Sequence, residues 1–152
     1  MRTKLLAKFL LLPSEDRALL LEAATRLALA RLAIAMLPFR YVGHLAARPS
    51  RGAEPPETQR LHQRERIRWA ILACARRVPW RAMCFEQGLA AQSMLRRRGV
   101  PSVLYYGASL EGPRGLAAHV WVRDGECDVI GGEIASRFAL LATFPQRISL
   151  PS

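Results

Sequence analysis

Residues 80–109, WRAMCFEQGLAAQSMLRRRGVPSVLYYGAS, decide the fold, because they join a helix directly to a strand. Helical periodicity runs from about residue 83 to residue 98, and Gly99 then supplies the left-handed conformation that commonly follows a helix. Pro101 cannot continue the helix, and the apolar and aromatic SVLYYGAS that follows has the composition of a strand.

Two further strands are predicted around a hairpin turn at Asp124-Gly125, a strong two-residue turn signal. With those two residues in the turn, Trp121 pairs with Asp128, and His119 and Asp128 are diagonal neighbours on one face. A one-residue slip of the register would turn Asp128 to the other face. The apolar run after the hairpin, FALLATFP, is expected to return over the core.

The residues before the deciding stretch have helical patterns. Ser14 is a suitable N-cap for a Leu-, Ala- and Arg-rich helix that ends at Pro38. An exposed loop rich in proline, glycine and charge is predicted over 46–57, and a second helix over 58–77. The predicted fold class is therefore α+β, with a helical first half followed by a helix packed on a small antiparallel sheet.

Length and composition limit the classes of protein. At 152 residues, about half of them apolar, the chain suits one domain over 1–152, with a helical part in 1–78 and the helix and sheet in 79–152. The net charge of +11 admits an acidic peptide, a nucleic acid or an anionic membrane surface as a partner. Three cysteines form no even disulfide framework and no secretory signal is evident, so we expect a cytoplasmic protein.

No integral membrane span is expected. The longest apolar segment, residues 18–37, contains Glu22, Arg26 and Arg31, and each charge would be costly in a bilayer. The segment is predicted to be a soluble helix, or at most an interfacial one.

Cys84 is the candidate nucleophile. It stands at the start of the predicted third helix, where free backbone N–H groups and the helix dipole favour a thiolate. Gly88, Ala91 and Leu95 share its helical face, so the Cys84 end of the helix can press against the strands.

His119 and Asp128 complete a candidate catalytic triad with Cys84. In this arrangement Asp128 holds one ring nitrogen of His119 while the other nitrogen faces the thiol. Each residue alone also has an ordinary structural interpretation, namely an apolar core cysteine, a buried strand histidine and a surface carboxylate.

Other titratable side chains fit structural or solvent-exposed positions. We expect Cys74 and Cys127 in the core, and His44 and His62 at the surface. Asp124, at the predicted turn tip, is expected to be too solvated to orient His119. An oxyanion donor is also required, and four groups that the sequence does not rank are the Cys84 backbone N–H and the side chains of Trp80, Gln87 and Gln92.

The stretch 80–109, followed by AAHVWVRDGECDVIGGE at 117–133, resembles the stand-alone, transglutaminase-like leader peptidase of lasso peptide biosynthesis. The likeness is close over about residues 80–133, and the Leu-rich helix ending LPFR at Arg40 also resembles that family's N-terminal region. The chain departs from the family at VWVR after His119, where a small residue and an acidic one are more usual.

The resemblance implies a papain-like or transglutaminase-like fold whose nucleophile falls on Cys84, histidine on His119 and acidic residue on Asp128. It implies removal of the leader from a ribosomally made precursor peptide before a separate cyclase forms the macrolactam. The partners implied are the precursor and a separate leader-binding protein, with the cyclase as a further candidate, and no cofactor or metal ion is implied. Residues 96–98, all arginine, and the apolar N-terminal helix are candidate docking surfaces.

Three alternatives stay open on the sequence. A transglutaminase-like enzyme can pass the acyl group to an amine instead of water. A noncatalytic adaptor or nucleic-acid binder would use the Arg-rich helices on phosphate, although no recognition motif is present and nucleic acid is not the expected partner. A metal site from His119, Asp128 and cysteine lacks close ligand spacing.

Overall fold

The computed structural model describes residues 2–146, and for residues 2–5 only the backbone. Five helices come first along the chain: α1 Arg2–Leu10, α2 Ser14–Met36, α3 Phe39–Ala46, α4 Glu57–Ala75 and α5 Cys84–Arg97. Four strands follow, β1 Val103–Gly112, β2 Gly115–Asp124, β3 Cys127–Ile130 and β4 Ala139–Phe144, with a short 3-10 helix, η1, at Gly132–Arg137 between the last two. This arrangement confirms the predicted α+β class.

The helical part contains two helices that the sequence patterns did not separate. The predicted helices that start near residues 14, 58 and 83 correspond to α2, α4 and α5. In addition, α1 forms before Pro13, and α3 begins directly after Pro38, because proline ends one helix and suits the entrance of the next. The C-terminal residues 147–152 lie outside the described part of the chain.

The sheet is antiparallel throughout, in the order β3-β2-β1-β4. The apolar run near the C-terminus forms the edge strand β4, paired with β1. It therefore extends the sheet rather than only covering the core. Gln92 of α5 ties this edge to the helix, because its amide donates to the carbonyl of Phe144 at 2.7 Å.

The register of the hairpin between β2 and β3 differs from the predicted one. Asp124 pairs with Cys127 and Arg123 with Asp128, so the two turn residues are Gly125 and Glu126. Gly125 takes a φ of 59°, which a glycine adopts without strain. The register then shifts by one residue beyond Arg123, so the predicted pairing of Trp121 with Asp128 is wrong.

Ion pairs explain why Asp124 stays in the strand and does not form the turn. Its side chain is fully buried and accepts hydrogen bonds from Arg60 and Arg64 of α4, the latter at 2.6 Å. The expectation of a solvated Asp124 at the turn tip is therefore wrong. This carboxylate fastens α4 to the hairpin.

The front of α5 packs closely on β2. Gly88 lies against a methyl group of Val120, and a Cβ built at Gly88 would lie 2.6 Å from it. Ala91 and Leu95, on the same helical side, are completely buried. The predicted close approach of helix and sheet depends on the small size of Gly88.

Several arginines hold helices to one another. Arg96 donates to the carbonyls of Leu45, Ala46 and Arg48, and burial, together with nearby cations, lowers its pKa to about 10. Arg98 pairs with Glu22 of α2 at 2.6 Å; burial alone would raise the Glu22 pKa, but the Arg98 hydrogen bond and charge lower it. Arg96 and Arg98, which belong to the predicted docking surface at 96–98, therefore make contacts within the protein.

The described helices include none whose length and apolar content would allow it to cross a membrane.

Candidate active site

Cys84 is the first residue of α5, and its side chain is half-buried. The helix start is fixed by Glu86, whose buried carboxylate accepts the Met83 backbone N–H at 2.7 Å and a hydrogen bond from Arg31 at 3.0 Å. Arg31 offsets the negative charge of Glu86 close to the thiol. The positive end of the helix dipole is thus preserved beside Cys84.

His119 lies in β2 and is 8% exposed. Its Nε2 lies 2.7 Å from the carbonyl oxygen of Gly131. A carbonyl only accepts hydrogen bonds, so Nε2 carries the proton at this contact, and in the neutral ring Nδ1 keeps a lone pair. This is the tautomer that leaves Nδ1 able to act as a base.

Aromatic rings fix the plane of the His119 imidazole. Its centroid lies 5.0 Å from that of Phe138 and 6.0 Å from that of Trp121. Gly107 pairs with His119 from β1, and its missing side chain gives Phe138 room to approach. The imidazole is therefore oriented by packing as well as by the Gly131 carbonyl.

The helix that begins with Cys84 packs on the strand that carries His119. Cys84 precedes Gly88 by about one turn, or roughly 6 Å, and Gly88 rests on Val120, the residue after His119. Val120 faces the helix, whereas His119 projects from the other side of the strand toward Gly131. The hydrogen bonds of the described residues include none between Cys84 and His119, and catalytic hydrogen bonds are often loose without substrate.

Among the described residues, Asp128 makes no hydrogen bond to His119. Asp128 stands opposite Arg123 and accepts a hydrogen bond from its guanidinium at 2.6 Å. Arg123 lies four residues from His119 along β2, or about 13 Å. The predicted diagonal contact between Asp128 and His119 fails because the turn is displaced by one residue.

A different carboxylate, Glu133, lies near His119. A hydrogen bond to its own backbone N–H and a second to Arg68 hold the Glu133 pKa below its ordinary value of 4.5, and the charge of His119 acts in the same direction. Arg68 also donates to the carbonyl of Val129 at 3.1 Å. Glu133 is not among the residues predicted from the sequence; its only signal there is its place after the two glycines that follow the hairpin.

The structure separates the four candidate oxyanion donors. Gln92, eight residues after Cys84, is completely buried and donates to the carbonyls of Ser102 and Phe144. Gln87 donates to the carbonyl of Ala82 at 2.8 Å. Among the described residues, the indole N–H of Trp80 is buried without a hydrogen-bond partner. Trp80 and the Cys84 backbone N–H are thus the better candidates.

The other cysteines and histidines differ from these residues in environment. Cys74 is buried as expected, its thiol donates to the carbonyl of Leu20, and burial raises its pKa. Cys127 is exposed, contrary to the core position predicted for it, because it ends the displaced turn. His44 and His62 are exposed, as expected.

Within residues 2–146, no three His, Cys, Asp or Glu side chains gather in a way that could hold a metal ion. The alternative metal site of His119, Asp128 and cysteine therefore has no support in the described residues.

Comparison with known proteins identifies the family. The family model described as the transglutaminase-like superfamily matches residues 21–143, which include α5, the whole hairpin and most of β4. No curated protein and no solved structure gave a significant match. The chain belongs to the transglutaminase-like superfamily, whose members are generally cysteine proteases or acyl transferases.

Proposed function

We propose that this protein is a cysteine peptidase in which Cys84 is the nucleophile and His119 the general base. The observation that carries the proposal is the imidazole of His119, held by Gly131 in the tautomer with a free Nδ1, in the strand against which the helix of Cys84 packs. Membership of the superfamily supports a thiol-dependent acyl transfer of this kind.

In the proposed reaction, Nδ1 of His119 takes the thiol proton as the Cys84 sulfur attacks the carbonyl carbon of the scissile amide. The imidazolium then gives its proton to the leaving amine, and a thioester remains on Cys84. Water hydrolyses the thioester with His119 again as the base, which restores the free thiol.

Two groups are proposed to support the imidazolium. The Gly131 carbonyl fixes the ring, and the Glu133 carboxylate offsets the positive charge that forms on it. The role of Asp128 as the third catalytic residue stays a prediction, and its ion pair with Arg123 favours Glu133 for that role.

We assign the proposed oxyanion site to the Cys84 backbone N–H and the indole N–H of Trp80. A buried donor without a partner is unfavourable in the resting protein unless it serves another purpose. A negative oxygen formed during attack on the substrate would satisfy it.

The proposed substrate is a ribosomally made lasso precursor peptide, from which the leader is removed before a separate cyclase closes the macrolactam. This assignment depends on the sequence resemblance over residues 80–133. On the same basis we propose that the protein works with a separate leader-binding protein. Its three cysteines, which form no even disulfide framework, support the proposal of a cytoplasmic protein.

Acyl transfer to an amine is the second candidate, because the superfamily includes transferases and the thioester would be the same. Binding to nucleic acid has less support. Arg60, Arg64 and Arg98 are ion-paired within the protein, so much of the positive charge has a structural use.

The proposal is tested by incubating the protein with the precursor encoded beside it and any adjacent leader-binding protein, followed by mass spectrometry. We expect cleavage at one bond by wild type and by Cys127→Ala, a matched control thiol, and none by Cys84→Ala. Equal cleavage by Cys84→Ala would refute the assignment. An amine adduct of the leader in place of its free acid would favour the transferase.

A further inference from the structure

An aromatic cluster begins one residue after the nucleophile. The ring of Phe39, from the first residue of α3, lies 5.9 Å from Phe85, 5.7 Å from Tyr106 and 6.2 Å from Phe144, measured between centroids. Phe39 and Phe85 are stacked with an interplanar angle of 16°. The four rings unite α3, α5, β1 and β4 beside Cys84.

The cluster is open to solvent at its centre. Phe39 contacts all three other rings, yet it remains 52% exposed. A ring that only filled the core would be covered by its neighbours. Such an exposed aromatic face has a large apolar area available for a ligand.

A cavity of about 340 Å³ adjoins two of these rings, Phe39 and Phe144. Its apolar wall is formed by Phe39, Phe144 and Ala47, and its rim includes Arg40 and His44. Gly43 forms part of the wall because a Cβ there would come within 2.9 Å of the Phe144 ring. The cavity has a volume in the range of small ligand sites.

The position of this cluster relative to the nucleophile limits what it can bind. Phe85 follows Cys84 directly, so their Cα atoms are about 3.8 Å apart. A group that rests on Phe85 and Phe39 while its carbonyl is at Cys84 must belong to the residue at the scissile bond or to a close neighbour.

We propose that Phe39, Phe85, Tyr106 and Phe144 form a subsite for a large apolar or aromatic side chain of the peptide substrate, next to the bond that is cleaved. This inference rests on the proposed function and names the side-chain class that the site selects. Offset and edge-on contacts with several rings at once favour an aromatic or branched aliphatic group over a small or charged one.

The first test measures alkylation of Cys84 and needs no peptidase activity. Each thiol adds across the double bond of N-benzylmaleimide or N-methylmaleimide, and peptide mapping by mass spectrometry gives separate rates for Cys84 and the exposed Cys127. For each cysteine, the alkylation rate with N-benzylmaleimide is divided by the rate with N-methylmaleimide. Dividing the Cys84 ratio by the Cys127 ratio then corrects for the different intrinsic reactivity of the two reagents.

We expect this normalised ratio to be about three to ten in wild type and to approach one in Phe39→Ala. Leu11→Ala, at a residue that is 86% exposed in the turn after α1, is the control and should retain the wild-type ratio. Circular dichroism establishes that the variants are folded, and Phe39→Leu should give an intermediate ratio if folding of Phe39→Ala is impaired. A ratio near one in wild type, or one unaffected by Phe39→Ala, would overturn the subsite.

A second test uses the precursor peptide. Replacing the large apolar residue nearest the cleaved bond with alanine should lower kcat/KM for wild type about tenfold and for Phe39→Ala by less than twofold. Equal losses in both proteins would overturn the subsite while leaving the peptidase assignment intact. Cleavage that persists in Cys84→Ala would instead overturn the peptidase assignment, and the maleimide ratio would still report on the rings.

Discussion

At the scale of single residues, removal of the buried indole N–H of Trp80 tests the proposed oxyanion site most directly. Trp80→Phe keeps an aromatic ring and removes only the donor, so the proposed oxyanion site would lose one hydrogen bond. We expect kcat to fall about a hundredfold, as for other oxyanion donors. Stability should stay the same or rise slightly, because the wild-type N–H has no partner among the described residues.

Trp69→Phe is the matched control. Trp69 lies in α4, fifteen residues before Cys84 in the sequence, and is 42% exposed. Steady-state kinetics and thermal unfolding of both variants separate the effects. Unchanged kcat in Trp80→Phe would remove the indole from the oxyanion site.

Two carboxylates compete for the third catalytic role, and a pair of amide substitutions distinguishes them. We expect Glu133→Gln to lower kcat/KM about tenfold, because the imidazolium that forms during the reaction loses a nearby negative charge. The lowered pKa of Glu133 keeps its carboxylate charged at neutral pH, and the charge is lost only as the pH falls through that value, below 4.5.

Asp128→Asn is the companion variant and should change kcat/KM by less than twofold, since its carboxylate contacts Arg123. The pH profiles of both variants are measured against wild type under the same conditions. A large effect of Asp128→Asn with none for Glu133→Gln would restore the triad predicted from the sequence.

The sequence was informative about individual residues where the signal is local. Cys84 precedes a helical pattern and starts α5, and His119 lies in a strand before an aromatic residue. The partner of His119 depends on the hairpin register, which the contacts of Asp124 with two arginines distant in sequence displace. Glu133 lies in η1, after the strand pattern ends, so strand periodicity carried no information about it.

At the scale of elements, the close contact of α5 with β2 depends on Gly88. In Gly88→Ala the new methyl group would lie 2.6 Å from Val120. The helix must then shift, and we expect a loss of about 1–3 kcal/mol in the free energy of unfolding. Activity should fall further than stability explains, because the same shift displaces Cys84. Urea unfolding and kcat/KM measure the two effects.

The double variant Gly88→Ala/Val120→Ala provides the control. Removing the opposing methyl groups should recover part of the stability and activity lost in Gly88→Ala, although Val120→Ala alone should be destabilising. A double variant no better than the sum of the single variants would mean that this contact does not position the helix.

The elements show where tertiary contacts override local preferences. Asp124-Gly125 is a strong turn signal, yet Asp124 stays in β2 because Arg60 and Arg64 bind its carboxylate. These arginines are about sixty residues away in the chain, so no local pattern could reveal the pair. The helices α2, α4 and α5, by contrast, were predicted because their periodicity and their flanking proline and glycine residues are local.

For the whole molecule, the Asp124 cluster joins the helical part to the sheet. Asp124→Asn would leave Arg60 and Arg64 without their buried counter-charge, and we expect a loss of about 2–4 kcal/mol in the free energy of unfolding. Asp128→Asn lies in the same hairpin but removes an exposed ion pair, and it should change stability by less than about 1 kcal/mol. Urea unfolding at neutral pH compares them, and equal losses would show that burial of Asp124 is unimportant.

Overall composition was a weaker guide to function than to fold. The net charge of +11 admitted several partners, and only the structure shows how many arginines bind carboxylates or carbonyls within the protein. Such contacts connect residues distant in sequence. The family match over residues 21–143 extends into α2, a helix whose role in the fold the sequence patterns did not establish.

The central claim is that Cys84 carries the acyl intermediate, and its most direct test is intact-protein mass spectrometry after acid quench of a reaction with the precursor. We expect a thioester whose added mass is that of the leader minus one water, mapped by digestion to Cys84 and absent from Cys84→Ala. An adduct mapped to Cys127, or leader cleavage by Cys84→Ala at the wild-type rate, would contradict the account.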